Sequence, residues 1–356
     1  SKSHGRAMNL TISRPAFVTR RRLLVDVIVK HASRWLCLVL FAVGCSASPP
    51  ETSQGDDVSG DTLPTATESP SLLPPEPTGR TRVVLLGTGT PGAEPDRSGP
   101  ATAVVVDETA YLIDFGPGVV RQAAAAAAAG VTALRPQNLR IGFLTHLHSD
   151  HTAGYPDVVL TPWVLGRRAP LIVYGPPGLR AMTRSILEAY QADIRIRTEG
   201  AEMLATGGVQ VQANEIEPGV VYEDDLVTVE AFAVPHGTWE HAFGYKFTTV
   251  DRTVVISGDS GPNDELATIA RDADILVHEA YGAFGFFQRR PQAQGYHGAF
   301  HTSATKVGEI ASQANVGMVV LTHQLHLAGE SPDQLVDEVR AQYDGPVVYG
   351  NDLDVF

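Results

Sequence analysis

The chain has 356 residues, a formal net charge of −13 and two cysteines, Cys37 and Cys45. Its first 45 residues contain eight basic side chains and one acidic side chain, so residues 46–356 carry a charge of −20. A surface this acidic repels polyanions, which argues against a long nucleic acid as partner. Because residues 46–356 contain no cysteine, they can form neither a disulfide nor a thiolate–metal bond.

The N-terminal segment has the pattern of an export signal. A basic stretch precedes a short apolar run, WLCLVLFAV at 35–43, which is followed by Gly44 and Cys45. The run is too short to span a bilayer, and this order of segments is typical of a secretory signal. The sequence AVGC also resembles the lipobox of bacterial lipoproteins, whose cysteine carries the lipid. We therefore interpret residues 1–45 as a signal peptide of the lipoprotein type, the alternative being a leader helix that the mature protein keeps.

This interpretation predicts an exported protein. It would be anchored to a membrane only through a lipid on Cys45, or be free in the periplasm or outside the cell. Residues 46–79 are rich in Pro, Ser, Thr and acidic residues and contain no basic residue. Such a segment buries too little apolar surface to offset its ordering entropy, so it is predicted to be a disordered linker. Residues 80–356 are then one domain.

Within this domain, short β-rich runs alternate with fewer helical patterns. The predicted strands lie at 81–87, 102–107, 110–116, 139–146, 170–175, 226–234, 243–250, 253–259, 273–280, 317–323 and 345–356. The predicted helices lie at 118–130, 178–191, 302–314 and 331–343, with Thr302 and Ser331 as N-caps of the last two. Mixed strands with helices outside them predict a layered α/β sandwich.

The stretch HLHSDH contains four side chains that can bind metal ions: His146, His148, Asp150 and His151. It follows the apolar run IGFL, which reads as a buried strand. Side chains alternate along an extended chain, so His146 and His148 point to the same side and can share one ion. Asp150 and His151 come after the turn and can bind a second ion. Zinc suits imidazole and carboxylate ligands.

Four ligands do not complete two ions, so further ligands must come from elsewhere in the chain. Three other apolar runs end in a histidine or an aspartate: AFAVPHG at His236, TVVISGDSG at Asp259 and GMVVLTHQ at His323. Together with the first cluster, this pattern gives seven candidate metal ligands.

These residues and several flanking stretches resemble the metallo-β-lactamase superfamily. HLHSDH matches its HxHxDH signature, and LLGTGTP, YLIDFGPG, FGYKF, SGDSGPND, LVHEA and HTSATKVGEIA resemble the ribonuclease Z and arylsulfatase-like branch. The resemblance covers residues 81–356. It implies a four-layer αββα sandwich with two Zn²⁺ ions, or Mn²⁺ or Fe in their place, and a metal-bridging hydroxide as the nucleophile.

The resemblance also assigns roles to single residues. It places His146, His148 and His236 on one zinc, places Asp150, His151 and His323 on the other, and makes Asp259 the bridge. Asp150 is expected to be catalytic as well as a ligand. His278, in LVHEA, is expected to protonate the leaving oxygen or to steady its charge. His301 precedes a helix start, where backbone amides favour anions, so we expect it to bind the substrate.

The chain departs from the tRNA-processing enzymes of this branch. Their tRNA-gripping arm typically lies between the third histidine and the bridging aspartate, where this chain has only a tight VDR turn. We therefore expect hydrolysis of a phosphodiester, or a related ester, in a small anionic substrate. The alternatives are sulfate-ester hydrolysis, tRNA 3′ processing, β-lactam or lactone hydrolysis, and a non-catalytic binding lipoprotein. A homodimer is compatible with these features.

Overall fold

The computed structural model describes residues 79–356. The predicted signal peptide and all but the last residue of the predicted linker lie outside the described residues, so both stay predictions. Among the described residues, no helix is long and apolar enough to cross a membrane.

The described residues form thirteen strands and ten α-helices. The strands are β1 (Thr81–Gly87), β2 (Ala101–Val106), β3 (Thr109–Ile113), β4 (Ile141–Phe143), β5 (Leu171–Gly175), β6 (Val211–Glu215), β7 (Gly219–Glu223), β8 (Val227–Ala233), β9 (Phe243–Thr249), β10 (Thr253–Ile256), β11 (Ile275–Tyr281), β12 (Val319–Leu325) and β13 (Val347–Tyr349). The helices are α1 (Val119–Ala128), α2 (Ser149–Thr152), α3 (Tyr155–Val164), α4 (Leu179–Ala189), α5 (Gln191–Glu199), α6 (Leu266–Ile269), α7 (Ala283–Gln288), α8 (Pro291–Phe300), α9 (Ala304–Ala314) and α10 (Pro332–Arg340).

The strands build two mixed sheets. Six strands form the first sheet in the order β1-β2-β3-β4-β5-β6, and seven form the second in the order β13-β12-β11-β10-β9-β8-β7. β3 to β6 run parallel to one another, as do β10 to β13, while the remaining pairs are antiparallel. Each sheet therefore has a parallel part whose carboxyl ends lie at one edge, where α/β proteins place their sites.

Alternation along β1 shows how the layers pack. Val83 and Leu85 lie in the core between the two sheets, whereas Val84 and Leu86 lie in the core beneath the outer helices of the first sheet. The second sheet packs its outer face on α6, α9 and α10. The order of layers is helix, sheet, sheet, helix, which confirms the predicted αββα sandwich. Ser331 caps α10 as predicted, but Ser303 rather than Thr302 caps α9.

Arg167 is a buried cation that forms no salt bridge with any carboxylate of residues 79–356. Its side chain is 2% exposed, and burial lowers the pKa of its guanidinium to about 10, so it stays charged at neutral pH. The guanidinium instead donates to four backbone carbonyls, those of Leu139, Val158, Val159 and Gly208. It thereby joins α3 to the segments before β4 and β6.

Arg167→Met should lower the free energy of unfolding by about 2–4 kcal/mol, because four buried carbonyls lose their donors. Equilibrium urea unfolding measures the change. Arg168→Met is the matched control, since Arg168 is exposed, and should stay within about 0.5 kcal/mol of the unsubstituted protein. Equal effects of the two substitutions would contradict the role given to Arg167.

Asp224 ties the two sheets together at the β7–β8 turn. Its Oδ2 accepts from the hydroxyls of Tyr111, in the first sheet, and Tyr222, in the second, at 2.6 and 2.7 Å. Its Oδ1 accepts from the backbone amides of Leu226 and Val227. Burial raises the pKa of Asp224, but these four hydrogen bonds to the charged form outweigh it, so the pKa lies below its ordinary value.

The pKa of Asp224 predicts a pH-dependent stability. Because the folded-state pKa is the lower one, the unfolded state takes up the proton first as the pH falls, and this weakens folding. The contribution is complete above the unfolded-state pKa of about 4 and disappears below the folded-state pKa. Urea unfolding of Asp224→Asn from pH 7 to pH 2.5 should therefore show a deficit that shrinks below pH 4. A deficit that is constant with pH would argue against a charged Asp224.

Candidate metal centre

Three histidines from two parts of the chain form the first group of candidate ligands. His146 and His236 each come three residues after a strand, β4 and β8, and His148 is the N-cap of the short helix α2. His148 Nδ1 lies 2.8 Å from His146 Nε2 and 3.2 Å from His236 Nε2. The two histidines of HLH therefore do face the same side, as the alternation predicted.

The second group contains Asp150, His151 and His323. Asp150 Oδ2 lies 3.5 Å from His151 Nε2 and 3.3 Å from His323 Nε2. His323 lies inside β12 rather than after its end, as the extra residue of a β-bulge opposite β11, and its φ is +44°. Bulges re-aim side chains next to functional sites, and this one turns the imidazole towards α2.

Asp259 lies between the two groups. Its Oδ1 is 3.3 Å from His151 Nε2 and its Oδ2 is 3.4 Å from His323 Nε2. The same carboxylate also lies with His146, His148 and His236, because one ligand atom from each of these four side chains lies within 4.8 Å of the others. The structure thus brings all seven predicted ligands together, with Asp259 shared.

The electrostatics of this centre favour bound cations. Burial lowers the pKa of His146 well below its ordinary value and that of His236 to about 4, so both present lone pairs at neutral pH. Burial also raises the pKa of Asp259, but the neighbouring histidines, His323 and His151 foremost, hold it well below the ordinary value. The carboxylate is therefore charged.

The donor set fits divalent metal ions. Tetrahedral coordination at 2.0–2.1 Å separates ligand atoms by roughly 3.3 Å, close to the separations in both groups. His151 Nε2 is buried and has no hydrogen-bond partner within the described part of the chain, although Asp150 and Asp259 lie beside it. Burial lowers the pKa of His151, yet Asp259 and Asp114 raise it well above the ordinary value, so a cation is favoured at this nitrogen.

Asp114 is a member of the site that the sequence reasoning missed. It follows β3 directly, is 5% exposed, and lies 2.8 Å from His151 Nδ1 while accepting from the amide and hydroxyl of Thr145. A carboxylate behind a ligating histidine fixes its ring and tautomer. Asp114 ends the run YLID, so the strand-end rule that found Asp259 could have found it.

His278 does not lie where its expected role requires. On β11 it shares a face with Leu276 and Ala280, which pack under the outer helices, and its Nδ1 donates to the carbonyl of Glu279. The neighbouring side chain, Glu279, instead lines a small internal cavity together with Asp259 and His323. The expectation for His278 is therefore corrected, because the one-residue alternation of a strand sends it away from the centre.

His301 reaches the centre from the loop between α8 and α9. Its Nδ1 lies 4.0 Å from Asp259 Oδ2 and 3.4 Å from Glu279 Oε2, and its side chain is buried. Burial lowers the pKa of His301, but Glu279 and Asp259 raise it above the ordinary value. Glu279, which also accepts from the amide of Thr302, holds His301 in place. Glu279 carried no sequence signal of its own besides its place in LVHEA.

Asp259→Ala should remove most of the bound metal, because both groups lose their shared carboxylate. His241→Ala is the control, since His241 belongs to neither group, and should keep the metal content of the unsubstituted protein. Both variants are dialysed against a metal-buffered solution, and the number of metal ions per chain is then measured by mass spectrometry. An equal loss of metal in both variants, or a loss in neither, would contradict the assignment of Asp259 as the shared ligand.

Comparison with known proteins gives the family. Residues 109–324 match the β-lactamase superfamily domain. The chain is 33% identical over 277 residues to the ribonuclease Z of Mycobacterium bovis (strain BCG / Pasteur 1173P2), an alignment that covers 76% of this chain and 96% of that protein.

Solved structures agree on the fold. The metallo-β-lactamase fold protein YhfI from Bacillus subtilis superposes with a TM-score of 0.59 at 18% identity, covering 78% of this chain and 98% of that one. The short form of human tRNase Z gives a TM-score of 0.57 at 21% identity, covering 77% and 98%. The chain therefore belongs to the ribonuclease Z-like branch of the metallo-β-lactamase superfamily and is a metal-dependent hydrolase of ester bonds.

Proposed function

We propose that this protein is a dinuclear zinc phosphodiesterase acting on a small anionic substrate. The observation that carries the proposal is the convergence of seven ligand side chains into two groups, with Asp259 a member of the first and within 3.4 Å of His151 and His323 in the second. His146, His148 and His236 would hold one ion, and Asp150, His151 and His323 would hold the other. Imidazole and carboxylate donors without a thiolate suit zinc in a catalytic site.

When bound, the two ions supply Lewis acidity and lower the pKa of water towards neutrality. The protein's own residues then orient the reactants. Asp150 lies at the border between the second ligand group and an open cleft of about 510 Å³, whose other wall is the 90–99 loop. We expect its carboxylate to accept a hydrogen bond from the attacking water and to hold that water in line with the ester.

His301 is placed to give a proton to the leaving oxygen. It lies beside Asp259 at the centre, and the Glu279 carboxylate, 3.4 Å from Nδ1, favours the charged imidazole. We therefore transfer to His301 the general-acid role first expected of His278. Its expected contact with the substrate is part of the same role, since a charged imidazole also attracts the anionic ester.

Three features favour a small substrate over RNA, although the relatives are named ribonuclease Z. β9 and β10 are joined by residues 250–252 alone, which leaves no room for a tRNA-gripping arm between His236 and Asp259. Residues 46–356 carry −20, which disfavours the approach of a polyanion. The predicted export signal would also separate the protein from tRNA.

The metal-loaded protein should hydrolyse bis(p-nitrophenyl) phosphate in preference to p-nitrophenyl sulfate. His301→Gln should lower kcat by roughly 10²–10⁴-fold for a diester with an alkoxide leaving group, because that group needs a proton. The loss should be much smaller for p-nitrophenolate, which leaves unprotonated. The kcat values of the unsubstituted protein and of His301→Gln, measured on bis(p-nitrophenyl) phosphate and on the diester with the alkoxide leaving group, give this difference.

His278→Gln is the matched control. It should leave kcat unchanged on both kinds of diester, because the side chain of His278 faces the outer helices. A preference for the sulfate would assign the protein to sulfate esters. Cleavage of a precursor tRNA at comparable efficiency would contradict the small-substrate proposal. If His301→Gln lowers kcat equally for both leaving groups, the general-acid role of His301 is contradicted.

A further inference from the structure

The segment between β11 and His301 presents large apolar side chains to solvent. In α7, Phe284 is 61% and Phe287 74% exposed, and in α8 Tyr296 is 48% exposed. α8 has no buried residue along its ten positions, so packing of the core does not explain its composition. Exposed apolar side chains grouped in one segment indicate a binding surface.

The last turn of α8 brings this segment close to the metal centre. The ring of Phe300 stacks on Tyr296 with centroids 4.4 Å apart, and lies 5.0 Å from His236 and 6.4 Å from His148. The Phe300 carbonyl also lies 2.8 Å from His236 Nδ1. Tyr296 thus stands one ring away from the first ligand group.

Phe300 is fixed in this position by its packing. Gly237, with a φ of +55°, lies so close that a Cβ there would come within 2.0 Å of the ring. The glycine is therefore required by both its backbone conformation and the ring against it. The Phe300 ring thus packs directly against this backbone and supports Tyr296 from one side, and aromatic side chains bind planar groups at low entropic cost.

A second aromatic side chain flanks the same ligand group. Trp239, in the loop after His236, lies with its ring centroid 4.8 Å from that of His148, and its indole is only partly buried. Tyr296 and Phe300 lie on the side of His148 where α8 packs, and Trp239 approaches His148 nearly edge-on. The centre thus has aromatic walls on its His148 side, whereas the open cleft lies on its Asp150 side.

We propose that Tyr296, supported by Phe300 and flanked by Trp239, forms a subsite that stacks a planar aromatic ring of the substrate. This inference rests on the proposed function, since the ester must sit at the metal centre. Its substrate class is an anionic ester with a planar ring next to the reacting group, either an aryl ester or a nucleotide. Rings stack on aromatic side chains without needing specific hydrogen bonds, so the surface suits both.

The test is binding of unreactive phosphate ligands to the metal-loaded protein, measured by isothermal titration calorimetry. The ligands are phenyl phosphate, adenosine 5′-monophosphate, ethyl phosphate and inorganic phosphate. In the unsubstituted protein at least one ring-bearing ligand should bind roughly 5- to 100-fold more tightly than ethyl phosphate, the range expected of one stacking contact. Which ring gains more distinguishes aryl esters from nucleotides.

Three variants isolate the ring. Tyr296→Leu should reduce the preference to within about twofold, since stacking is lost, while its affinity for inorganic phosphate and its metal content stay unchanged. Tyr296→Phe should keep the preference. Tyr190→Leu is the matched control, because Tyr190 is a similarly exposed tyrosine, 41%, beside α4 and has no contact with the ligand groups.

The outcomes separate the two proposals. Binding of inorganic phosphate without any preference for a ring, or a preference that survives Tyr296→Leu, overturns the aromatic subsite and leaves the proposed function standing. Failure of every phosphate ligand to bind the metal-loaded protein refutes the proposed function, and the subsite with it.

Discussion

The metal centre depends on one buried carboxylate, that of Asp259, which must stay charged. Asp259 is 4% exposed, and an ionised carboxylate so far from water is stable only beside cations or donors. Its surroundings are imidazoles from two ligand groups, so the energetics of the whole centre are set by this shared anion. Removing it would leave Asp150 as the only ligand carboxylate among the seven and would take away the anion between the two cations, which repel each other as like charges.

The two sheets supply the geometry that this constraint demands. His146, His148, Asp150 and His151 follow a strand of the first sheet, while His236, Asp259 and His323 belong to the second. The centre therefore exists only when the sheets are packed with their edges in register. Hydrogen bonds such as those from Tyr111 and Tyr222 to Asp224 join the sheets away from the centre and help to fix that register.

The ends of the strands, the loops after them and the short helix α2 hold the metal ligands. Other loops and helices decide what reaches these ligands. The 90–99 loop lines the cleft beside Asp150, and α7 and α8 carry the aromatic side chains beside His148. Function resides in such surroundings rather than in the fold, which serves many chemistries. The mycobacterial ribonuclease Z relative therefore fixes the family and the reaction class of this chain, whereas the substrate is decided by segments that need not resemble it.

The sequence alone was enough for a layered α/β sandwich, most strands and all seven candidate ligands, because apolar runs ending in His or Asp are local signals. The four-layer αββα class followed from the resemblance to the family. It did not predict α3, whose Pro162 is an unfavourable residue inside a helix that tertiary packing overrides. Only the folded chain showed that Glu279 rather than His278 faces the centre, since which side of a fully buried strand faces inward depends on both sheets. The approach of Tyr296 and Phe300 to His148 was likewise invisible, because it joins residues that are about 150 positions apart and is set by packing rather than by pattern.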